Sequence, residues 1–555
     1  MTVRIIRFFF RGTLISLELI FATVMVLLTY IMIVAPVPDL DMPEISIPER
    51  TKIAENHYVI GNNWLRKNEF GVWEMYIEGT PYERGLIYGK LSGELVKSQE
   101  KVFIAQIENL IPSRSWQRFL LMTIGFFNKD LTSNIPRENL EEIYGVSKSF
   151  SDDYDYISSK YARILNYHAA HDIGHALNDY SMVGCTSFAL NGDKTQDHQL
   201  LVGRNFDFYM GDDFAKDKLI LFVNPDKGYK FASYSWAGFT GVVSGLNEKG
   251  LSVTINAAKS DLPSGSKTPI SIVAREILQY ASTIDEAIRI AGKRETFVSE
   301  TFMVSSKKDG KAVLIEKSPT KTGVYQTDGN TLICANHYQS ETFRKDPVNL
   351  KNIEESDSKW RYARTQKLLG AHGNFTVADA IAVLRDQKGL DGDTLGAGNP
   401  KAINQLLAHH SVVFEPASET MWISTAPYQL GNFIAYDLKK VFGKKGPAEK
   451  LENVAADPFL YTDAYKKFIA YKVTRNKIIA FLNFGQPLHL SAMEIKDFIA
   501  SNRELYLTYD YLGNYFLKKN DPKTAKKYYD LALTKTVASV QVQKELMRKS
   551  RECLK

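Results

Sequence analysis

An α+β fold, with antiparallel sheets and helices segregated from them, is predicted by two features of this 555-residue chain. Strand-like apolar runs succeed one another over residues 218–257 and 301–335. They break at Asn224-Pro225-Asp226, at Asn247-Glu248-Lys249-Gly250 and at Asp328-Gly329-Asn330, where turn-forming residues cluster. Helical spacing of apolar residues marks Ile270 to Tyr280, Ile284 to Ala291, Ala363 to Leu369 and Val377 to Arg385, set between and after those strand blocks. A chain of this length buries a large core and divides into more than one structural unit. Its net charge of +6 is small for its length and no basic cluster is interleaved with aromatics, so nucleic acid is not an expected partner.

At the N-terminus, Arg4, Arg7 and Arg11 precede an apolar run from Gly12 to Ala35 that only Glu18 interrupts. At 1.5 Å per residue such a run crosses the ~30 Å apolar core of a bilayer. The cations favour a cytoplasmic N-terminus, so residues 1–36 are expected to be a single-pass inner-membrane anchor with the remainder exported. A cleaved signal peptide is the rival, but no small-x-small site precedes Pro36. Pro36, Pro38, Pro43 and Pro48 then make an extended tether, followed by mixed helical and loop sequence to Asp179, the whole forming an N-terminal segment over 37–184. Within it His168, His171 and His175, with Asp172, fall at helical spacing. One helix face could present these imidazoles to zinc, but the glutamate of His-Glu-x-x-His is missing and Gly174 weakens the helix. Structural histidines are the expectation, with no metal and no cofactor.

The chemistry-bearing feature is Cys185, in Val183-Gly184-Cys185-Thr186-Ser187-Phe188, followed by Gly203-Arg204-Asn205-Phe206-Asp207-Phe208. The runs Cys185 to Leu190 and Leu200 to Phe208 flank a loop with Asn191-Gly192-Asp193 and read as a β-hairpin. Antiparallel return carries Arg204 and Asp207 back toward the thiol, where a cation or base lowers its pKa or takes its proton. A lone cysteine is otherwise most often a small buried hydrophobe. The other cysteines, Cys334 and Cys553, are widely spaced, and three in total do not make a disulfide framework.

This hairpin resembles the nucleophile hairpin of N-terminal nucleophile (Ntn) hydrolases, in the branch of acid ceramidase, N-acylethanolamine amidase, choloylglycine hydrolases and penicillin acyltransferases. The resemblance continues in order. Gly245-Leu246-Asn247-Glu248-Lys249-Gly250-Leu251 leads to a strand ending at Asn256, Ile333-Cys334-Ala335-Asn336-His337-Tyr338 carries an Asn-His pair, and Ser358-Lys359-Trp360-Arg361-Tyr362-Ala363-Arg364 carries two arginines. Glu78 to Gly85 with Gly89 resembles a glycine-spaced helix near the start of the penicillin-acyltransferase-like group. The similarity covers roughly 70–425, including the strand pair Ser411 to Glu415 and Thr420 to Ser424. It implies a four-layer αββα sandwich, a catalytic segment over 185–457, and self-cleavage between Gly184 and Cys185 that makes the new α-amine the base. It further implies that Asp207 holds that amine, Arg204 favours thiolate, Asn256 donates to the tetrahedral oxyanion, Asn336 stands beside the amine or substrate amide, and Arg361, rather than Arg364, reaches the site.

After Asp457 the composition turns helical, and Tyr509, Leu512, Gly513, Phe516, Ala525, Tyr529 and Ala532 match one tetratricopeptide repeat within a C-terminal region, 458–555. One repeat cannot bury its own face, so it packs on its neighbours as a cap or offers a docking surface to a protein partner. The expected activity is hydrolysis of a small linear N-acyl amide through a Cys185 thioester. Interception of the thioester by an amine would make an acyltransferase. An inactive membrane-anchored scaffold is the reading of another class. Phe206, Phe208, Tyr209, Trp236 and Phe239 suggest an apolar acyl group.

Overall fold

The computed structural model describes residues 37, 39–110, 113, 128, 130–177, 184–261, 266–371, 373–447 and 452–554. The membrane span expected at 1–36 lies outside them; among the described residues no helix is long and apolar enough to cross a membrane.

Two sheets dominate. The first has eleven strands, ordered β1 (Thr51–Ala54), β2 (His57–Ile60), β3 (Asn63–Lys67), β4 (Trp73–Gly79), β7 (Lys218–Pro225), β8 (Phe231–Trp236), β9 (Ser244–Asn247), β10 (Leu251–Ala257), β11 (Glu300–Ser306), β12 (Lys311–Lys317) and β13 (Thr322–Tyr325). The second has seven, ordered β14 (Thr331–Cys334), β5 (Thr186–Leu190), β6 (Leu201–Phe206), β15 (His410–Glu415), β16 (Thr420–Ser424), β17 (Phe433–Asp437) and β18 (Asn453–Val454). Every pairing is antiparallel except β4 with β7, which run parallel from Trp73↔Leu219 to Gly79↔Pro225.

Because strand side chains alternate between faces, each sheet divides its apolar residues between two cores. Tyr76, Phe222, Tyr234 and Met303 of the first sheet meet Val202, Cys334, Val412 and Ile423 of the second in the central layer. The first sheet's other face, with Met75, Leu221 and Phe302, is covered by helices Pro81–Leu110, Arg137–Ser147, Lys160–Leu177, Ile270–Tyr280 and Ile284–Lys293. The second sheet's other face, with Phe188, Leu201 and Val413, is covered by helices Ser358–Gly370 and Val377–Leu384. The chain therefore has the Ntn-hydrolase-like α+β layering, helix on sheet on sheet on helix, that the resemblance implied.

The N-terminal segment departs from the expected mixture of helix and loop, because residues 51–79 form the meander β1–β4 and complete the larger sheet. Three of these strands are only four or five residues long and β1 is exposed throughout, so no period of two stands out in their sequence. Nor does the tether hang free. Leu40, Met42, Ile45 and Ile47 pack on the helical layer, and Lys90 donates to the Ile47 carbonyl at 2.6 Å. Helix Pro81–Leu110 crosses helix Arg137–Ser147 so closely that a β-carbon on Gly85 would lie 2.1 Å from the Glu142 carbonyl oxygen. Arg84 pairs with Glu142 at 2.7 Å in the same contact.

Beyond residue 457 five helices, Asp463–Phe484, Ala492–Ser501, Tyr506–Lys518, Pro522–Leu533 and Val540–Glu552, share a core that takes in Leu406, Tyr428 and Leu430 of the sandwich. Tyr509, Leu512, Gly513, Ala525, Tyr529 and Ala532 are all buried between the third and fourth of these helices or beside them.

Candidate active site

The β5–β6 hairpin forms as its sequence suggests, with Thr186↔Asn205, Ser187↔Arg204 and Leu190↔Leu201 in register. Ser187 and Arg204 face the central layer, since Ala189 and Val202, two residues away on each strand, lie in it. Cys185 sits one residue before β5 on that same side, buried, with Arg204 Nη2 3.6 Å from its sulfur. The guanidinium is held on several sides. Its Nη1 donates to Ser244 Oγ at 2.7 Å, its Nη2 also donates to the Ile255 carbonyl, and its carbon lies 4.2 Å over the Phe206 ring. Behind it Ser244 Oγ meets His410 Nε2 at 2.9 Å, and His410 Nδ1 meets His409 Nδ1 at 2.9 Å.

A second group of side chains surrounds the backbone of the same cysteine. The Cys185 amide N–H donates to Asn336 Oδ1 at 3.0 Å, and Asn336 Nδ2 donates to the Ala257 carbonyl at 2.9 Å. Arg361, on the helix after the Asn-His pair, donates from Nη1 to the Cys185 carbonyl at 2.6 Å and from Nη2 to Asn336 Oδ1 at 2.6 Å. Asp357 accepts from Arg361 at 3.0 Å and keeps the guanidinium aimed. Arg364, three residues on, is spent on Asp386 at 2.8 Å. Gly184 N donates to the Asp207 carbonyl at 3.1 Å. Asp207 itself is fully buried; its Oδ2 accepts from Gln405 Nε2 at 3.2 Å, and its Oδ1 has no hydrogen-bond partner among the described residues.

Asn256 stands at the edge of this group. Its Oδ1 accepts from Ser187 Oγ at 2.8 Å, but its Nδ2 is turned to the Cys334 and Ala335 carbonyls at 3.3 and 3.2 Å. With the Gly184–Cys185 bond intact, its amide donor is therefore committed to backbone. His337 bonds Ser358 Oγ at 2.7 Å rather than entering the group.

Electrostatics follow burial. The Cys185 thiol is pushed up to about 11 by desolvation, which outweighs the favourable Arg204 charge. Asp207 is pushed up to about 8 by the same cause, with Arg361 and Arg204 pulling the other way. In the uncut chain the thiol is thus protonated and its nitrogen is an amide, so the cysteine has no built-in base.

Sequence reasoning missed Gln405, Ser187 and the Ser244–His410–His409 chain. The one signal was Asn404-Gln405, a polar pair inside the apolar run from Ala402 to Ala408 that leads into β15. Of the three histidines His168 alone has a described side chain, and it is bonded away from Cys185. His168 donates from Nδ1 to the Ile164 carbonyl at 2.8 Å and accepts at Nε2 from the Thr240 N–H at 3.0 Å, while the side chains of His171 and His175 lie outside the described residues. Among the described residues no cluster of His, Cys, Asp or Glu fits a metal.

A sandwich of this layering, with a cysteine hairpin at its central layer and arginine, aspartate and asparagine gathered on it, is the arrangement that the resemblance to Ntn hydrolases implied. Residues 193–427 match the family described as acyl-coenzyme A:6-aminopenicillanic acid acyl-transferase, which bears out the resemblance read from the sequence. The match takes in Arg204, Asp207, Asn256, Asn336 and Arg361 and begins beyond Cys185. Among curated proteins, the chain is 27% identical over 350 residues to an uncharacterized protein of Archaeoglobus fulgidus, covering 55% of this chain and 56% of that one. It is 26% identical over 245 residues to protein dcd1A of Dictyostelium discoideum, covering 40% and 52%. The chain thus spans about half the length of the curated relatives it matches. Among solved structures, the Caenorhabditis elegans ortholog of N-acylethanolamine-hydrolyzing acid amidase is similar at 18% identity, over 42% of this chain and 93% of that one, with a TM-score of 0.32.

Proposed function

We propose that the protein is a self-cleaving cysteine amidohydrolase that severs Gly184–Cys185 and then hydrolyses a linear N-acyl amide through a thioester on Cys185. One observation carries this reading: Arg204 converges on the sulfur, and Asn336 and Arg361 on the backbone, of one and the same residue, while the Asp207 carbonyl accepts from the adjoining Gly184 N–H. Freed by cleavage, the α-amine has a reference pKa of about 8 and takes the thiol proton near neutrality, which a lysine at its ordinary pKa of about 10.4 does not. Asp207, whose Oδ1 is unpartnered, and Asn336 Oδ1 are the acceptors that hold the resulting ammonium. Arg204 stabilises the thiolate as it attacks. Asn256 serves the oxyanion once its amide leaves the Cys334 or Ala335 carbonyl, and such a donor contributes about 3 kcal/mol. Water then releases the acid.

The transfer of the acyl group to an amine is the second reading, favoured by the matched family's description as an acyl-transferase. The acyl group is apolar in either case. Phe208 and Trp236 stack at 5.9 Å beside the hairpin, and Phe214 and Phe239 extend that apolar surface. In this reading residues 1–36 anchor the exported catalytic body to the membrane, and helices Tyr506–Lys518 and Pro522–Leu533 are one tetratricopeptide-like unit that caps it or docks a protein partner.

The test is intact mass and N-terminal sequencing of the purified chain beside Cys185→Ala, followed by an amide screen with and without an added amine. Two co-purifying fragments, the downstream one beginning Cys-Thr-Ser, are expected only in the parent. A folded, uncut chain in both would remove the reading.

A further inference from the structure

We infer that Gln405 is a catalytic residue of the self-cleavage step, its side-chain amide donating to the oxyanion that forms on the Gly184 carbonyl. The inference rests on the proposal that the chain cuts itself and assigns a part of that step to a residue outside the expected set.

Balanced atom by atom, the step begins when Cys185 Sγ adds to the Gly184 carbonyl carbon and negative charge gathers on that carbonyl's oxygen. The carbon–nitrogen bond then breaks, and the thiol proton ends on the Cys185 nitrogen as the sulfur–carbon bond of a thioester replaces the amide. Water adds next, the carbon–sulfur bond breaks, one of the water's protons returns to the thiol and the other passes to the freed α-amine, and Gly184 leaves as a carboxylate. Both tetrahedral species place their charge on the Gly184 oxygen, so a donor fixed there in the resting chain acts twice without reorganising.

Gln405 Nε2 is such a donor, 3.2 Å from the Gly184 oxygen in a buried setting. The orientation of the amide is determined by its second contact, because the same nitrogen donates to Asp207 Oδ2 at 3.2 Å. With the Gly184 carbonyl oxygen and the accepting Oδ2 of Asp207 as its neighbours, the NH₂ end of the side chain faces the bond. The other end of the peptide is gripped as well, with the departing nitrogen held by Asn336 Oδ1 at 3.0 Å and the Cys185 carbonyl by Arg361 at 2.6 Å.

An independent observation concerns the residue being cut. A β-carbon on Gly184 would lie 2.6 Å from Gln405 Nε2 and 3.3 Å from its Oε1. Any side chain at 184 would push the amide off the carbonyl, so glycine is there to let the donor in. Gln405 comes from 221 residues downstream, in the loop that enters β15, so the donor arrives only when the central sandwich has closed. The same contact thereby delays cutting until folding is complete.

The experiment is a time course of cleavage for the full chain made in a cell-free system with detergent, read by intact mass, for the parent, Cys185→Ala, Gln405→Met, Gln405→Glu and Gly184→Ala. Gln405→Met keeps the volume and removes the donor, and cleavage is expected to slow about 100-fold or more. Gly184→Ala should slow it comparably. Gln405→Glu has no donor while ionised and regains one on protonation, so its rate relative to the parent should rise as pH falls. That signature is not expected of a merely structural glutamine, and it decides the matter if Gln405→Met does not fold. A parent that cuts while Gln405→Met keeps pace within threefold, or a Gln405→Glu ratio flat in pH, overturns the role of Gln405 alone. A folded parent that never cuts overturns both this role and the proposed function.

Discussion

Cys185 and Arg204 stand 3.6 Å apart, yet burial leaves the thiol protonated in the intact chain, and the same burial holds Asp207 up at about 8. For Asp207 the linkage has a definite sign. The unfolded chain loses this proton near pH 4 and the folded chain near 8, so its contribution to stability is present below pH 4 and is lost as pH rises to about 8. In the uncut Cys185→Ala chain, Asp207→Asn should therefore gain Tm over its parent progressively between pH 4 and 8 and level off above; a pH-independent gap in thermal melts would contradict this. Arg361 and Arg364 give a paired prediction. Arg361→Lys trades a fork spanning the Cys185 carbonyl, Asn336 and Asp357 for a point charge, so cleavage and amide turnover should fall about tenfold or more. Arg364→Lys should shift only denaturant stability, by about 1 kcal/mol, because its partner is Asp386. Which arginine reached the site was a matter of family resemblance. That Gln405 reached it was not legible, since a residue 221 positions away is brought to Gly184 by sheet order rather than by any local pattern.

Secondary-structure elements were legible where their periodicity was undisturbed. The hairpin β5–β6 and helices Ile270–Tyr280 and Val377–Leu384 lie within a residue or two of where apolar runs and helical spacing put them, and strand β16 lies where the family resemblance put it. Strands β1–β3 were not legible, because strands of four or five residues that are partly exposed show no clear alternation. The glycine-spaced helix at Gly85 was ambiguous in sequence between packing and function, and the structure gives it a packing use against Glu142 and Gly145. Gly85→Ala should accordingly cost about 1–3 kcal/mol or more in denaturant unfolding. Gly292→Ala, in a helix where an added β-carbon meets nothing, should instead stabilise by about 0.5–1 kcal/mol. Equal effects at the two sites would argue against close helix packing at Gly85.

Across the whole molecule, buried imidazoles set the acid limit. Burial lowers His168 and His337 to about 4, and His409 and His410 lie well below the ordinary value for the same reason. These residues stay neutral in the folded chain while the unfolded chain binds protons near pH 6.5, so their stabilisation is present above pH 6.5 and is lost as pH falls toward 4. Denaturation midpoints should fall steeply across that window, and simultaneous His168→Gln and His337→Asn should flatten the slope. The parts of the chain before and after residue 457 are likewise not independent. Lys472 of the C-terminal helices meets Asp212 at 2.5 Å just beyond the active hairpin, and Leu406, Tyr428 and Leu430 lie in the C-terminal core.

The parallel pairing of β4 with β7 has a consequence for any molecule cut before Cys185. Seven registered residue pairs, Trp73↔Leu219 through Gly79↔Pro225, join a strand from before the cut to one from after it, in the middle of an eleven-stranded sheet. The two pieces would be born in equal number from one polypeptide and could separate only by tearing that sheet apart. Dilution would not part them, and neither piece could be exchanged for a fresh copy. The cut would be a permanent nick in an undivided body, made once in the lifetime of each molecule.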